Sequence, residues 1–210
     1  LVLSRAYRMA SEHDADKYAK VPGSRSFWRM KRRRLDAEAI RDATLAVGGT
    51  LDLARPVGSP IANLTTATEI GRRGSIEDLS DSVAHHRSVY LPLIRNGMPE
   101  VLAVFDVADP SLLVGQREVT TVATQALFLM NSPLVRKQAQ EAAKRVTSST
   151  SDADRGVEAA YRLILQRPPS SDELRLGVQF VAEYGQVAGQ EKSSSPSTDA
   201  AWAALCQSLI

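Results

Sequence analysis

Cysteine is almost absent from this chain of 210 residues, which contains only Cys206. A single cysteine excludes an intramolecular disulfide and a cysteine-rich zinc site, and it excludes a haem-attachment pair within this stretch. A reactive thiolate would need a nearby cation or a helix N-terminus. Cys206 lies instead on the apolar side of a predicted helix, so we interpret it as a small buried hydrophobic residue.

Long hydrophobic runs and aromatic residues are also scarce. No segment approaches the roughly 18 to 20 consecutive apolar residues of a membrane helix, and no basic-then-apolar signal segment stands at the start. Only 5% of the residues are aromatic, so we expect a core of Leu, Val, Ile and Ala. The nucleophile elbow, the zinc-protease motif, the P-loop and the dinucleotide fingerprint are missing, which leaves the familiar enzyme classes without sequence support.

Both ends of the chain look interrupted. Leu1 is not a start methionine, and residues 205–210 end inside an apolar helical pattern without a stop signal. We therefore expect a fragment of a longer protein, truncated at both ends. Missing targeting signals then say nothing about the parent protein.

The net charge is small and unevenly distributed. Lys and Arg number 26 and Asp and Glu number 24, which gives +2 overall. Residues 1–50 carry a net +5 and residues 151–210 a net −3. A field this weak does not predict nucleic-acid binding.

Helical periodicity dominates the chain and predicts a mainly α, irregular multi-helix fold. A long loop insertion is expected over 50–86, and at most a minor β element over 88–94. A polar Ser/Thr linker over 147–151 divides a helical and loop-rich main part, 1–146, from a C-terminal three-helix bundle, 147–210. The predicted helices cover 34–47, a turn after Pro99, 121–130, 133–146, 152–165, 170–181 and 202–209.

Two predicted helix faces and one cap are specific enough to check. Four apolar residues share the predicted buried face of the helix over 121–130, and four more share that of the next helix. The first set is Val122, Ala126, Leu129 and Met130, and the second is Val135, Ala139, Ala142 and Val146. Ser170 and Glu173 form a capping box, in which each side chain satisfies a backbone donor of the other.

A basic run beside an aromatic residue is the first candidate binding site. Its members are Trp28, Arg29, Arg32, Arg33 and Arg34. Such a cluster could bind phosphate or sulfated sugar and stack on a ring. Glu38 follows Arg34 by four residues and precedes Arg41 by three, a spacing that favours internal ion pairs instead.

Two carboxylates in the middle of the chain are the candidate catalytic groups. Asp106 and Asp109 could perform acid/base work or bind a hard cation. In the alternative interpretation they cap a turn before Pro110 and are neutralised by nearby arginines. An enzyme would bring the two carboxylates into one cleft with the other candidates of this region, which are His86, Arg87 and Arg95.

The neighbouring histidines His85 and His86 do not predict a metal site. Adjacent side chains point to opposite sides of an extended chain, so the pair is poorly placed to bind one ion without further ligands. We expect no metal in this chain.

Several strings in order resemble one protein family. They include RRLDAEAIRD (33–42), RSVY (87–90), FDVADP (105–110), Arg117 with TT (120–121), QAL (125–127), MNS (130–132), AYR (160–162) and RPP (167–169). Together they resemble the planctomycete domain of unknown function 1553, a C-terminal domain of large secreted bacterial proteins. The resemblance spans nearly the whole chain.

The resemblance implies a context rather than a chemistry. Parents of this family usually carry an export signal and often a c-type cytochrome-like domain, so the resemblance implies a periplasmic or secreted protein whose haem, if any, lies upstream. The family has no established catalytic residues. We expect no cofactor in this chain, no nucleic-acid partner and no membrane segment.

Three functions remain open at this point. The leading hypothesis is a non-catalytic structural or interaction module that packs on upstream domains of its exported multidomain parent. A hydrolytic or polysaccharide-processing enzyme with a site near Asp106 and Asp109 is the first alternative. Binding of a sulfated glycan or another polyanion through residues 29–34 is the second.

Overall fold

Helices account for most of the chain in this structure, a computed structural model. It describes residues 3–21, 27–30, 32–58, 85–91, 93, 98–188 and 198–210. These residues contain no β-strand, and their one β-type contact is an isolated bridge between Asp52 and His86. The predicted mainly α class is confirmed.

The described helices follow one another in eight α-helical segments. They are α1 (Ala15–Lys20), α2 (Ala37–Gly48), α3 (Glu100–Val104), α4 (Ala123–Asn131), α5 (Pro133–Ser149), α6 (Ala153–Leu165), α7 (Ser171–Ala188) and α8 (Thr198–Leu209). A short 3₁₀ turn covers Ser88–Tyr90. The chain divides into two compact units, Leu1–Leu35 and Asp36–Ile210.

Among the described residues of the first unit, 1–35, the short helix α1 is the one helix. Asp14 starts this helix by accepting a hydrogen bond from the Lys17 amide at 3.0 Å. The Met30 amide donates to the Ala10 carbonyl at 3.1 Å, which ties the end of the unit to its beginning. None of its described residues is buried, so this unit has no apolar core of its own among them.

Helix α5 is the centre of the second unit and contacts α2, α4, α6 and α8. Its buried stripe is the predicted one, Val135, Ala139, Ala142 and Val146. The small alanines let neighbouring helices approach closely. Full burial of each larger apolar side chain contributes about 1.5–3 kcal/mol to the hydrophobic stabilisation.

Two apolar clusters surround α5. One joins α5, α6 and α8 and includes Val157, Trp202 and Cys206. Burial raises the pKa of the Cys206 thiol to about 12, which agrees with its interpretation as a buried hydrophobic residue. The other cluster joins α2, α3 and α4, where the rings of Phe105 and Phe128 meet edge to face at 5.9 Å.

Most local signals for helix ends are confirmed. Helix α2 ends at Gly49, whose φ of 76° is the left-handed conformation that glycine adopts without strain. Helix α3 follows Pro99 as predicted. Ser170 and Glu173 form the predicted capping box, with hydrogen bonds of 2.8 and 3.3 Å.

Three local predictions are wrong. The segment after Arg87 forms a 3₁₀ turn rather than an extended piece, because Ser88 is held by α2. Residues 147–149 continue α5 instead of forming a linker, and each hydroxyl donates to a carbonyl three residues earlier. Helix α4 buries Gln125 and Phe128, while Val122 and Met130 of the predicted face are exposed.

The predicted long insertion lies mainly outside the described residues. Residues 51–58 form no helix or strand beyond the bridge at Asp52, and residues 59–84 lie outside the described ranges. The division into 1–146 and 147–210 stays a prediction. Residues on both sides of that boundary belong to the second unit, 36–210.

Candidate functional site

Asp106 closes a loop over residues 106–120, which we call the clamped loop. Its two carboxylate oxygens accept hydrogen bonds from the Thr120 amide and the Thr120 hydroxyl, both at 2.8 Å. Asp106 also has a φ of 62°, a left-handed conformation that Asp tolerates better than most residues. The first and last residues of the loop are therefore held together directly.

Gln125 fixes the base of the clamped loop to the helices beside it. Its amide nitrogen donates to the Val104 carbonyl at 3.0 Å and to the Thr120 hydroxyl at 3.3 Å. Its amide oxygen accepts from the Val122 amide at 3.3 Å. Gln125 is buried, and these contacts satisfy the polar atoms that burial would otherwise leave without partners.

Two further contacts order the interior of the loop. Asp109 accepts a hydrogen bond from the Ser111 amide at 2.7 Å, in the turn that the sequence offered as an alternative to catalysis. Arg117 donates to Glu38 of α2 at 2.8 Å. This ion pair lowers the pKa of Glu38 and raises that of Arg117. The hydrogen-bonding partner of Arg117 is thus Glu38.

The middle of the clamped loop exposes consecutive apolar side chains. Leu112, Leu113 and Val114 form this apolar tip, and Leu113 is fully exposed. Helix α4 starts just after the loop, and Val122, which precedes it, is exposed together with Ala126 and Met130 of the helix. Contiguous exposed apolar side chains can mark an interaction surface, and the apolar tip is therefore a candidate contact surface.

A second polar cluster connects α2 to the segment 86–88. Arg41 is only 3% exposed and donates to the His86 carbonyl at 3.0 Å and to the Ser88 hydroxyl at 3.1 Å. Asp42 accepts from the Ser88 amide at 2.7 Å and from its hydroxyl at 2.6 Å. Burial lowers the pKa of Arg41, and the neighbouring charge of Asp42 opposes that shift.

His85, His86 and Arg87 make polar contacts in the same region of the structure. His86 Nδ1 lies 3.4 Å from an Asp52 carboxylate oxygen, and His85 Nδ1 lies 3.1 Å from the Thr50 carbonyl. Arg87 Nε lies 4.0 Å from Asp42. Arg95 lies outside the described residues. These contacts bind loop segments to α2 and Asp52.

The basic run of 29–34 is partly self-contained. The guanidinium of Arg29 lies 5.0 Å from the centre of the Trp28 ring, a cation–π contact. Arg32 and Arg33 are exposed, and Arg34 is half-buried. Lys31, inside the run, lies outside the described residues. Glu38 pairs with Arg117, and its predicted pairing with the basic run stays a prediction.

An open groove of about 420 Å³ lies between α6, α7 and α8. Its lining includes Tyr161, Phe180 and Leu205, with Glu173 at its edge. Arg167 donates to both oxygens of Glu173, at 2.6 and 2.7 Å. That pair, helped by the Ser170 amide, lowers the pKa of Glu173 to about 2. Glu173 is therefore a charged structural partner and is unsuited to proton transfer near neutral pH.

Sequence reasoning overlooked several members of these clusters as site residues. Thr120, Gln125, Arg41, Asp42 and Ser88 carry none of the usual catalytic patterns. The signal that could have found them is the family resemblance, because all five lie within its strings. In the described structure these five side chains hold the clamped loop and the segment 86–88 to the neighbouring helices.

The described residues hold neither a candidate metal site nor a candidate membrane helix. No three His, Cys, Asp or Glu residues lie close enough there to hold a metal ion. No helix in the same residues is long and apolar enough to cross a membrane.

The sequence profile of a family described as "PSD1: Protein of unknown function (DUF1553)" matches residues 1–181. No curated protein and no solved structure matches the chain.

Proposed function

This chain belongs to the PSD1 family of proteins of unknown function (DUF1553), and we propose that it is a non-catalytic docking module of a larger exported protein. The observation that carries the proposal is the clamped loop, which presents Leu112, Leu113 and Val114 to solvent from a base held by side-chain hydrogen bonds.

The roles of the two central aspartates support a non-catalytic function. Asp106 accepts hydrogen bonds from the amide and from the hydroxyl of Thr120, and Asp109 accepts one from the Ser111 amide. A general base must reach a substrate proton with a free lone pair. Both carboxylate oxygens of Asp106 instead accept hydrogen bonds that hold the loop closed, and this favours a structural role over the hydrolytic alternative.

Because the clamped loop is ordered before binding, its apolar tip can bind a partner at a smaller entropic cost. Fixing a flexible residue costs about 1–2 kcal/mol of conformational free energy, and binding that orders a loop must overcome that cost. The Asp106–Thr120 contact and the Arg117–Glu38 pair already order the loop in the free protein. Binding of a partner therefore has less of this conformational cost to overcome. A small apolar contact then becomes sufficient for docking.

The partner in this proposal is an upstream domain of the same parent protein. A tethered partner is present at an effective concentration in the millimolar range, so three apolar side chains can hold it where they would not hold a free protein. The exported, secreted context, the planctomycete origin and an upstream c-type cytochrome-like domain belong to the proposal. The family resemblance alone supports them.

Amide hydrogen exchange tests the docking function. Exchange over residues 111–119 is compared between this chain alone and the full-length parent, with α6 as an internal reference. Docking predicts slower exchange of the loop in the parent and unchanged exchange in α6. Equal loop exchange in the two proteins would refute docking through this surface.

A matched pair of variants sharpens the same test. Leu113→Ser removes an exposed apolar side chain from the tip, and Leu53→Ser removes an exposed one elsewhere. In the parent, Leu113→Ser is expected to restore fast exchange over 111–119, whereas Leu53→Ser leaves it slow. The same effect of both variants would show that the tip has no special part in docking.

Polyanion binding is the second candidate function. The charge of the first unit favours it, since residues 1–35 contain 10 Lys and Arg and 3 Asp and Glu. This candidate is independent of the clamped loop, because that loop belongs to the second unit.

A further inference from the structure

The net charge of +2 conceals two units of opposite sign. Residues 1–35 carry +7, whereas residues 36–210 carry −5, from 16 basic and 21 acidic side chains. Seven of the ten cations in the first unit are arginines. One net positive charge for every five residues is a density typical of polyanion-binding segments.

The backbone of the first unit brings two basic stretches together. The hydrogen bond from the Met30 amide to the Ala10 carbonyl joins residue 30 to residue 10. Arg8 lies two residues before Ala10, and Arg29 and Arg32 lie on either side of Met30. A turn closed by the Arg8 amide and the Ser4 carbonyl, 3.1 Å apart, carries Arg5 beside Arg8. Arg5, Arg8, Arg32 and Arg33 are all exposed.

The positive charges of the first unit are not explained by packing against an apolar core among the described residues. None of the described residues of the first unit is buried, so its arginines do not stabilise buried carboxylates there. Asp14, one of its three acidic residues, is occupied as the cap of α1 and as the partner of Lys17 at 3.0 Å. Mutual repulsion among the remaining like charges opposes compaction. A bound polyanion would remove that repulsion.

We infer that residues 1–35 bind a sulfated polysaccharide through exposed arginines of both stretches. The guanidinium fork matches the geometry of a sulfate group and donates two parallel hydrogen bonds to it. The guanidinium of Arg29 lies over the Trp28 ring beside the basic run, whereas Tyr7 and Phe27 are exposed. Single-stranded nucleic acid is bound in part by stacking on such rings, and a thymidine oligonucleotide is therefore the competing ligand in the test. The inference deepens the second candidate function and does not depend on docking.

Retention of the whole chain on immobilised heparin tests the inference. The double variant Arg32→Glu/Arg33→Glu changes two exposed cations of the basic run. The matched control, Arg136→Glu/Lys137→Glu, makes the same change in net charge at two adjacent exposed positions of α5. The first variant is expected to lower heparin affinity at moderate salt by at least about tenfold and to reduce the salt dependence of log affinity by about two. The control is expected to stay within about twofold of the unmodified chain.

Three comparisons decide the assignment. Equal losses in the two double variants would show that only total charge matters and would overturn a site in residues 1–35. Equal affinity for unsulfated hyaluronan would overturn sulfate recognition, and tighter binding of a thymidine oligonucleotide than of heparin would overturn the polysaccharide. Far-ultraviolet circular dichroism confirms that both variants keep their helices. Leu113→Ser is expected to retain full heparin binding, so a failure here is distinguishable from a failure of docking.

Discussion

The two tryptophans of the chain show how differently its two units are stabilised. Trp202 is buried among α5, α6 and α8. A Cβ atom added at Gly156 would lie 2.5 Å from its ring, so only glycine permits this approach. Trp28 is half-buried, lies under Arg29 and donates to the Val21 carbonyl at 3.5 Å. One ring completes an apolar core, and the other is held by a charge and one long hydrogen bond.

The contrast extends to the roles we assign to the units. In the second unit, 36–210, several charged side chains form hydrogen bonds and ion pairs around two apolar clusters. The first unit, 1–35, carries a surplus of positive charge and no buried residue among those described. In our proposal, the first unit binds polyanions through its positive charge, and the second unit is a scaffold stabilised by apolar burial.

Trp202→Ala is expected to have the largest effect and tests the contrast directly. Removal of a buried tryptophan leaves a cavity and loses apolar burial, which costs about 3–5 kcal/mol. Trp28→Ala is the matched change in the first unit, with an expected cost below about 1 kcal/mol. The free energy of unfolding is measured by urea denaturation followed by circular dichroism. Similar losses in both variants would abolish the distinction between the units.

Arg41→Met is expected to have the next largest effect, of about 3 kcal/mol. The variant fills a similar volume but leaves the His86 carbonyl and part of the Asp42 charge without their buried donor. Arg87→Met is the control, because Arg87 is more than half exposed and contacts the same Asp42 at 4.0 Å. Its expected cost is below about 1 kcal/mol. Urea denaturation of both variants measures the difference, and a small loss for Arg41→Met would mean that the cluster contributes little to stability.

Local features of the fold were predictable from the sequence, and distant pairings were not. The Gly49 stop, the α5 stripe and the Ser170–Glu173 box depend on residues within one or a few helical turns of each other. The contact between Arg41 and Ser88 joins residues 47 apart, and that between Arg117 and Glu38 joins residues 79 apart. Spacing along the chain carries no information about such contacts.

One wrong prediction has a definite physical cause. The face of α4 was chosen by hydrophobicity alone. The structure instead buries Gln125, because its amide group bonds the base of the clamped loop. A buried polar residue with several partners cannot be recognised from its own polarity.

Thr120→Val is expected to have a smaller and more local effect. The change keeps the shape of the side chain but removes the hydroxyl that donates to Asp106 and accepts from Gln125. We expect a loss of about 1–2 kcal/mol and faster amide exchange over 107–119. Thr121→Val, at the exposed neighbouring position, is expected to leave both quantities unchanged. Unaltered loop exchange in Thr120→Val would show that the clamp does not order the loop, so the apolar tip would resemble the loosely held first unit.

Glu173→Gln is expected to have the smallest effect on the free energy of unfolding, and the informative measurement is how that effect depends on pH. Hydrogen bonds from Arg167 and Ser170 lower the pKa of Glu173 from 4.5 to about 2. Because the pKa is lower in the folded state, the pair stabilises the fold above pH 4.5, and this contribution disappears as the pH falls towards 2. The amide of glutamine can still accept from Ser170 but cannot form the ion pair. The difference in unfolding free energy between the two proteins should therefore be small and constant near neutral pH and vanish near pH 2, as measured by urea denaturation across this range. A difference that persisted at pH 2 would show that packing, and not charge, makes Glu173 important. The pKa of Asp14 in the first unit is lowered as well, by hydrogen bonds from Lys17, so exposed helix caps in both units depend on the same chemistry.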